Sequence, residues 1–151
     1  MEPFKYASAS KRVVAFFIDS LIILFCYMAI GILFSLNGVS QLIFQLPIIG
    51  LWWYLGMLLL PWMYYALFES SKMQATVGKY ILGLQVTTLT GERLSFGRAT
   101  GRYFGKFLSQ ITLGYLLVLM TKKKQALHDK LASTIIIHVS SRLSEESYSK
   151  E

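Results

Sequence analysis

The sequence predicts a mainly α-helical polytopic membrane protein: two transmembrane helices, a third hydrophobic segment and a small β element. Three observations carry this. Of 151 residues, 54% are hydrophobic and only 15% charged, against about 25% charged in a typical soluble domain. Two mostly apolar runs, residues 13–34 (apart from Asp19 and Ser20) and 47–68, are each long enough to cross a hydrocarbon core of about 30 Å. Two short β-branched runs lie outside those spans. The mean hydropathy is +0.50.

The first run follows a short polar lead carrying Lys5, Lys11 and Arg12. It is far longer than the h-region of a signal peptide, and no clear small-residue cleavage site follows, so an uncleaved anchor helix is expected. Residues 35–46 carry no charge and contain Asn37-Gly38, a turn signal, which marks a short outer loop. Pro47 opens the second run, a favoured place for proline. Trp52 and Trp53 sit near one end, and Trp62, Tyr64 and Tyr65 near the other, as an aromatic belt at each interface. Pro61 is interior. It removes one backbone bond and crowds the carbonyl of Met57, so a kink is expected at residues 57–61.

Residues 69–102 are richer in charge. Leu82–Leu89 reads as a strand, Thr90-Gly91-Glu92 as a turn and Arg93–Phe96 as a short return strand. Thr134–Val139 is a second β-branched run. Residues 1–139 read as a single membrane domain and 140–151 as a polar tail expected to be disordered. The third hydrophobic segment, residues 103–121, has Lys106, Ser109, Gln110 and Thr112 in its first half and is divided by Gly114.

Charge sets the orientation. The net charge is +7, and in a membrane protein such an excess first reports topology. Lys5, Lys11 and Arg12 place the N-terminus in the cytoplasm, with the 69–102 region on the same side. A full crossing by 103–121 would put Lys122, Lys123, Lys124 and Lys130 outside. A re-entrant or surface-lying helical hairpin keeps them inside and is preferred over a third span. The strand at 134–139 also needs a partner for its backbone groups, and the 82–89 strand can supply one only from the same side. Lys122–Lys124 would then meet anionic lipid at the cytoplasmic face.

Asp19 lies roughly 9–10 Å into the first span. An intramembrane carboxylate is costly and normally has a partner. Arg102 and Lys106, from a separate segment, are the expected cations, because Arg12 lies two turns away and its side chain leans toward the N-terminus. Arg12 itself reads as an interface anchor. Asp129 is expected to accept from nearby backbone N–H groups, or from Arg98 or Arg102. Arg12, Asp19, Arg102, Lys106 and Asp129 therefore form a candidate polar cluster. It is either an ion or proton site or a structural ion-pair set.

Other chemistries lack their residues. The one cysteine, Cys26, is in a span and cannot form an internal disulfide. His128 and His138 are too few for a His-Asp metal site. Gly78-Lys79 lacks the rest of a phosphate loop. No nucleophile–base arrangement fits, so no enzymatic activity, cofactor or metal is expected. No basic run with stacking aromatics suggests nucleic acid.

Several stretches line up with one pattern. Arg12 precedes the first span and Asp19 lies within it. Thr76-Val77-Gly78-Lys79, Leu82-Gly83-Leu84-Gln85-Val86, Gly91-Glu92, Gly101-Arg102 and Gln125–Thr134 follow in order. Over roughly residues 6–139 the chain resembles the RDD family of small membrane proteins, named for one Arg and two Asp. Here these would be Arg12, Asp19 and Asp129. One mild departure is Ala75-Thr76-Val77, where Pro or Leu is expected before the Gly. The resemblance implies a bacterial cytoplasmic (inner) membrane and a role often guessed to be transport, without supplying a substrate. Two spans cannot enclose a path, so transport of ions or small solutes would require a homo-oligomer. The alternative is a non-transporting scaffold or assembly partner in which the charge cluster is structural.

Overall fold

The computed structural model describes residues 4–39, 41, 45–112 and 114–141. Two long helices dominate it, and both are long and apolar enough to cross a membrane. The first, α1, runs Ala9–Leu36. It starts one turn before the expected residue 13, because the Ser8 hydroxyl accepts from the Lys11 N–H and caps it. Asn37 ends it, and Gly38 follows with φ +68°. Val39, Gln41 and Gln45 are helical, so part of the expected 35–46 loop is not loop; residues 40 and 42–44 lie outside the described residues.

The second helix, α2, runs Pro47–Ser70 with Pro47 in its first turn and Pro61 inside it. Pro61 denies the Met57 carbonyl its helical donor. The Tyr27 hydroxyl of α1 donates to that carbonyl at 2.6 Å. Where no water is at hand, a freed carbonyl needs such a donor. α1 buries only Ala15 and Asp19, and α2 only Gly50, Tyr65, Ala66 and Glu69. All six except Gly50 lie toward the end where the two helices meet the rest of the chain. Most other side chains of both helices face outward, including Phe17, Leu21, Phe25, Trp52 and Leu58.

A compact cap follows. Helix α3 (Val77–Ile81) leads into β1 (Leu84–Thr88). Gly91, at φ +85°, then turns the chain back. The expected return strand at 93–96 does not form. Ser95 instead caps α4 (Phe96–Ile111), accepting from Arg98 N–H. A serine followed by a long amphipathic stretch is a helix start, and that signal prevails over the short β-like run. α4 is followed by a 3-10 turn, Gly114–Leu116, and by α5 (Leu117–Met120). The two pieces of this third segment meet at 107°. The chain closes with α6 (Leu127–Leu131) and β2 (Thr134–His138). Val139–Ser141 are helical, and the remainder of the expected polar tail lies outside the described residues.

β1 and β2 pair antiparallel, with Leu84 opposite His138, Val86 opposite Ile136 and Thr88 opposite Thr134. The N-terminal segment covers the other edge of β2. Ala7 N–H donates to Ile136 O at 2.8 Å and His138 N–H to Lys5 O at 3.0 Å. Residues 5–7, β1 and β2 thus share one layer at one end of the long helices. The core beneath it is small: Ala7, Ala66, Leu84, Val86, Leu94, Ala99 and Ile136.

The cap contains an internal repeat. α3 and β1 recur as α6 and β2 at a constant offset of 50 residues. Left-handed residues recur with them: Gln74 at φ 52° and Lys124 at 48°, Gly83 at 64° and Ser133 at 51°. The Val86–Ile136 pair has the same offset and lies at the middle of the ladder, so the two units face each other across a local two-fold axis. Their supporting helices correspond as well. α1 carries Asp19, which accepts from Gly78 N–H; α4 carries Ser109, which accepts from His128 N–H. Arg12 and Arg102 each stand seven residues before those acceptors.

Candidate functional site

Asp19 is held by neutral donors. It accepts from Thr76 Oγ1 at 2.6 Å, Tyr64 Oη at 2.8 Å and Gly78 N–H at 2.8 Å. The Tyr64 hydroxyl also accepts from Val77 N–H at 3.2 Å. Asp19 therefore caps the first turn of α3 from another helix, where free N–H groups and the helix dipole favour a carboxylate. This corrects the expected pairing with Arg102 and Lys106. Neither cation reaches it, because α3 lies against that face of α1 and supplies enough donors. Gly78 is needed for the approach, since a Cβ there would collide with the Ala15 carbonyl and crowd the Asp19 carboxylate.

The cations and the other carboxylates form a separate buried chain. Arg102, 1% exposed, lies at its centre. Its Nη1 donates to Glu69 Oε2 at 2.6 Å, and its Nε and Nη2 approach Asp129 Oδ1 at 3.0 and 2.9 Å. Arg12 Nη1 donates to Asp129 Oδ2 at 2.6 Å, and Lys79 Nζ to Glu69 Oε1. Ala126 N–H adds a donor to Asp129 at 3.1 Å. Five charged groups thus tie α1, α2, α3, α4 and α6 together. Arg12 is consequently more than an interface anchor. Asp129 takes Arg102 rather than Arg98, which points to solvent.

The structure brings together Arg12, Arg102 and Asp129, leaves Asp19 apart with its own donors, and places Lys106 in neither set. Lys106 Nζ sits 3.5 Å from the Tyr65 ring centroid, a cation–π distance. It has no ion pair among the described residues. Glu69 and Lys79 were missed as cluster members, because in sequence they read as charges of a polar connecting region. Glu69 did carry a signal: it directly follows the apolar run and lies in the same helix. Lys79 carried none, since only the fold of α3 turns it inward.

Burial opposes charge on Asp129, but Arg102, His128 and Arg12 outweigh it and hold the carboxyl below its usual range. The His128 ring is pushed down to about 3, mainly by burial and despite Asp129 at 3.3 Å. It is neutral at pH 7, with Nδ1 against the Ser109 hydroxyl at 3.0 Å.

Two lipid-length apolar helices, a strand-paired cap and a buried arginine–carboxylate chain enclosed by the helices define a small membrane protein. The chain belongs to the RDD family, whose model matches residues 6–133. It is similar to the uncharacterized protein YxaI of Bacillus subtilis (strain 168), with 42% identity over 84 residues. That stretch is 54% of this chain and 55% of the relative, so the match spans about half of each. No solved structure matches the chain.

Two outcomes follow from the charge chain. Arg102→Met takes one of two cations from each of Glu69 and Asp129, which keep Lys79 and Arg12, and should cost roughly 3 kcal/mol in detergent unfolding, the low end for breaking a buried pair. Adding Glu69→Gln and Asp129→Asn leaves Lys79 and Arg12 without their acids and should lower stability further; recovery instead would mean that the two remaining pairs contribute nothing. For His128, the folded pKa lies below the unfolded value near 6.5, so the unfolded chain binds the extra proton. Its contribution is complete above about pH 6.5 and is lost as pH falls toward 3. The unfolding midpoint of wild type should decline through that window, and His128→Gln should flatten the decline.

Proposed function

We propose that this RDD protein is a non-transporting scaffold or assembly partner of a bacterial cytoplasmic membrane, with its ionic chain serving as a structural clamp. The observation that carries the reading is saturation. Asp19 has three neutral donors, Glu69 two cations, and Asp129 two arginines and a backbone N–H. A carboxylate that couples transport must exchange its proton or cation, whereas these are locked between five elements. The outward apolar faces of α1 and α2 suit lipid or further helices, including those of a second copy.

In this proposal the protein is multi-pass, with the N-terminus and strand layer in the cytoplasm. The basic residues of those regions favour that side. Pairing of β1 with β2 requires both on one side, so the bent third segment enters and returns. Lys122–Lys124 then lie against anionic lipid, each worth about 1 kcal/mol near the surface.

A second reading, oligomeric transport of ions or small solutes, draws support from the cavity beside Lys106. In it, several copies would enclose the path. Proteoliposomes separate the two. Wild type should show no flux driven by a pH or cation gradient, and Asp19→Asn should lower stability without changing that. Gradient-driven flux in wild type that disappears in an intact Asp19→Asn protein would refute the scaffold reading. For topology, a cysteine at Lys123 should resist an impermeant maleimide added outside intact cells; ready labelling would overturn the orientation.

A further inference from the structure

A cavity of about 380 Å³ opens between α1, α2 and the third segment. It is walled by Phe16, Leu24, Tyr65 and Phe107, with Lys106 and Gln110 also on its lining. Phe16, Leu24 and Phe107 are each about half exposed, so the mouth is edged by apolar side chains. Along α1 the lining runs from Phe16 to Tyr27, about 6 to 22 Å beyond Arg12 at 1.5 Å per residue. In the span geometry proposed above this is hydrocarbon depth.

The cavity lies where the two repeat units face each other. Phe16 and Lys106 occupy corresponding positions of α1 and α4, four residues after Arg12 and Arg102, and both line it. Ser20 and Gln110 correspond in the same way and also line it. Ser20 is spent on the Phe16 carbonyl. Half-buried Lys106 differs from the cations of the ionic chain: an aromatic ring, not a carboxylate, is its near partner among the described residues. A cation at such a depth calls for an anionic partner.

We propose that this cavity binds a single-chain amphiphilic carboxylate. The Lys106 ammonium would receive the carboxylate, with the Gln110 amide as a second donor, and the alkyl chain would lie along Phe16, Leu24 and Phe107. One cation facing one small headgroup fits a monoanion, and a cavity of about 380 Å³ edged by half-exposed apolar side chains fits one chain better than two. The inference does not depend on the scaffold reading: binding without flux is compatible with it, and binding with flux would refute that reading while leaving the site in place.

The test uses the full chain in nanodiscs of zwitterionic lipid. Dodecanoate carrying a carbon-13 carboxyl is titrated, and its carboxyl shift and saturation are read by NMR. A parallel titration uses dodecanol labelled with carbon-13 at its carbinol carbon, and phosphatidylglycerol is then added as competitor. Saturable dodecanoate binding is expected, with dodecanol at least about tenfold weaker, as a lost charge-assisted bond implies. Lys106→Met should lose a similar factor, and Lys106→Arg should retain binding. Leu24→Trp narrows the mouth without touching the cation and should also weaken binding, which keeps the proposal testable if Lys106→Met does not fold. Equal binding of acid and alcohol, or no effect of Leu24→Trp, would overturn the site. Phosphatidylglycerol binding with no dodecanoate binding would overturn the occupant in favour of a phospholipid headgroup.

Discussion

The buried guanidinium of Arg102 is the constraint on which the cap depends. It stands between Glu69 at the end of α2 and Asp129 in α6, and is closed on both sides by ion pairs. Neither carboxylate could stay charged there alone, and the arginine could not be buried without them. The pairing therefore fixes the relation of three helices at once. Lys79 and Arg12 extend it to α3 and α1. Among the described residues, the hydrophobic cluster of the cap joins seven buried side chains, three of them alanine, which offers little area for such a task. Polar specificity supplements it: the charges define which helix end meets which.

The two-fold repeat explains why the arginines and acids are spaced as they are. In each unit a helix offers a side-chain acceptor to the opening turn of a five-residue helix, Asp19 to Gly78 and Ser109 to His128. Each helix carries an arginine two turns earlier. In the first unit the small residue is in the short helix, where Gly78 admits α1. In the second it is in the long helix, where a Cβ at Gly105 would press on His128. The close contact is kept while the glycine changes sides. The units differ most in what joins helix to cap. The first uses α2, a full span of 24 residues. The second uses only the short turn and helix of residues 114–120. The bent third segment is thus the shorter counterpart of the α1–α2 pair.

The parts of this fold governed by composition and local signals were legible in the sequence. The spans, Pro47 at a helix start and the two strands all appear near their expected places, because lipid-length apolar runs and β-branched clusters act locally. The partner of the terminal strand was legible by elimination. What failed was tertiary. Asp19 was matched with cations because charge pairing is the usual way to bury an acid, but an N–H-rich helix start competes on equal terms. Nothing in Thr76-Val77-Gly78 announces that its donors face a distant aspartate. The repeat was hidden for a similar reason. Gly78-Lys79 and His128-Asp129 share backbone conformation but almost no side-chain chemistry, and the left-handed sites use Gln, Lys and Ser beside one Gly.

That divergence bears on how the cavity and the ionic chain relate. At corresponding places of the two units, one presents Phe16 and the other Lys106. Had both been apolar, the cavity between them would be a simple packing defect open to lipid. Had both been basic, two like charges would face each other across a low-dielectric gap. With one of each, the cavity has a polar end and an apolar wall. The chain of Arg12, Asp129, Arg102, Glu69 and Lys79 already holds one more cation than carboxylates. Lys106 increases that excess and draws no acid from it. The ionic chain therefore keeps an excess of positive charge after its own pairs are made, and Lys106, held against the Tyr65 ring rather than a carboxylate, adds to it at the edge of the cavity.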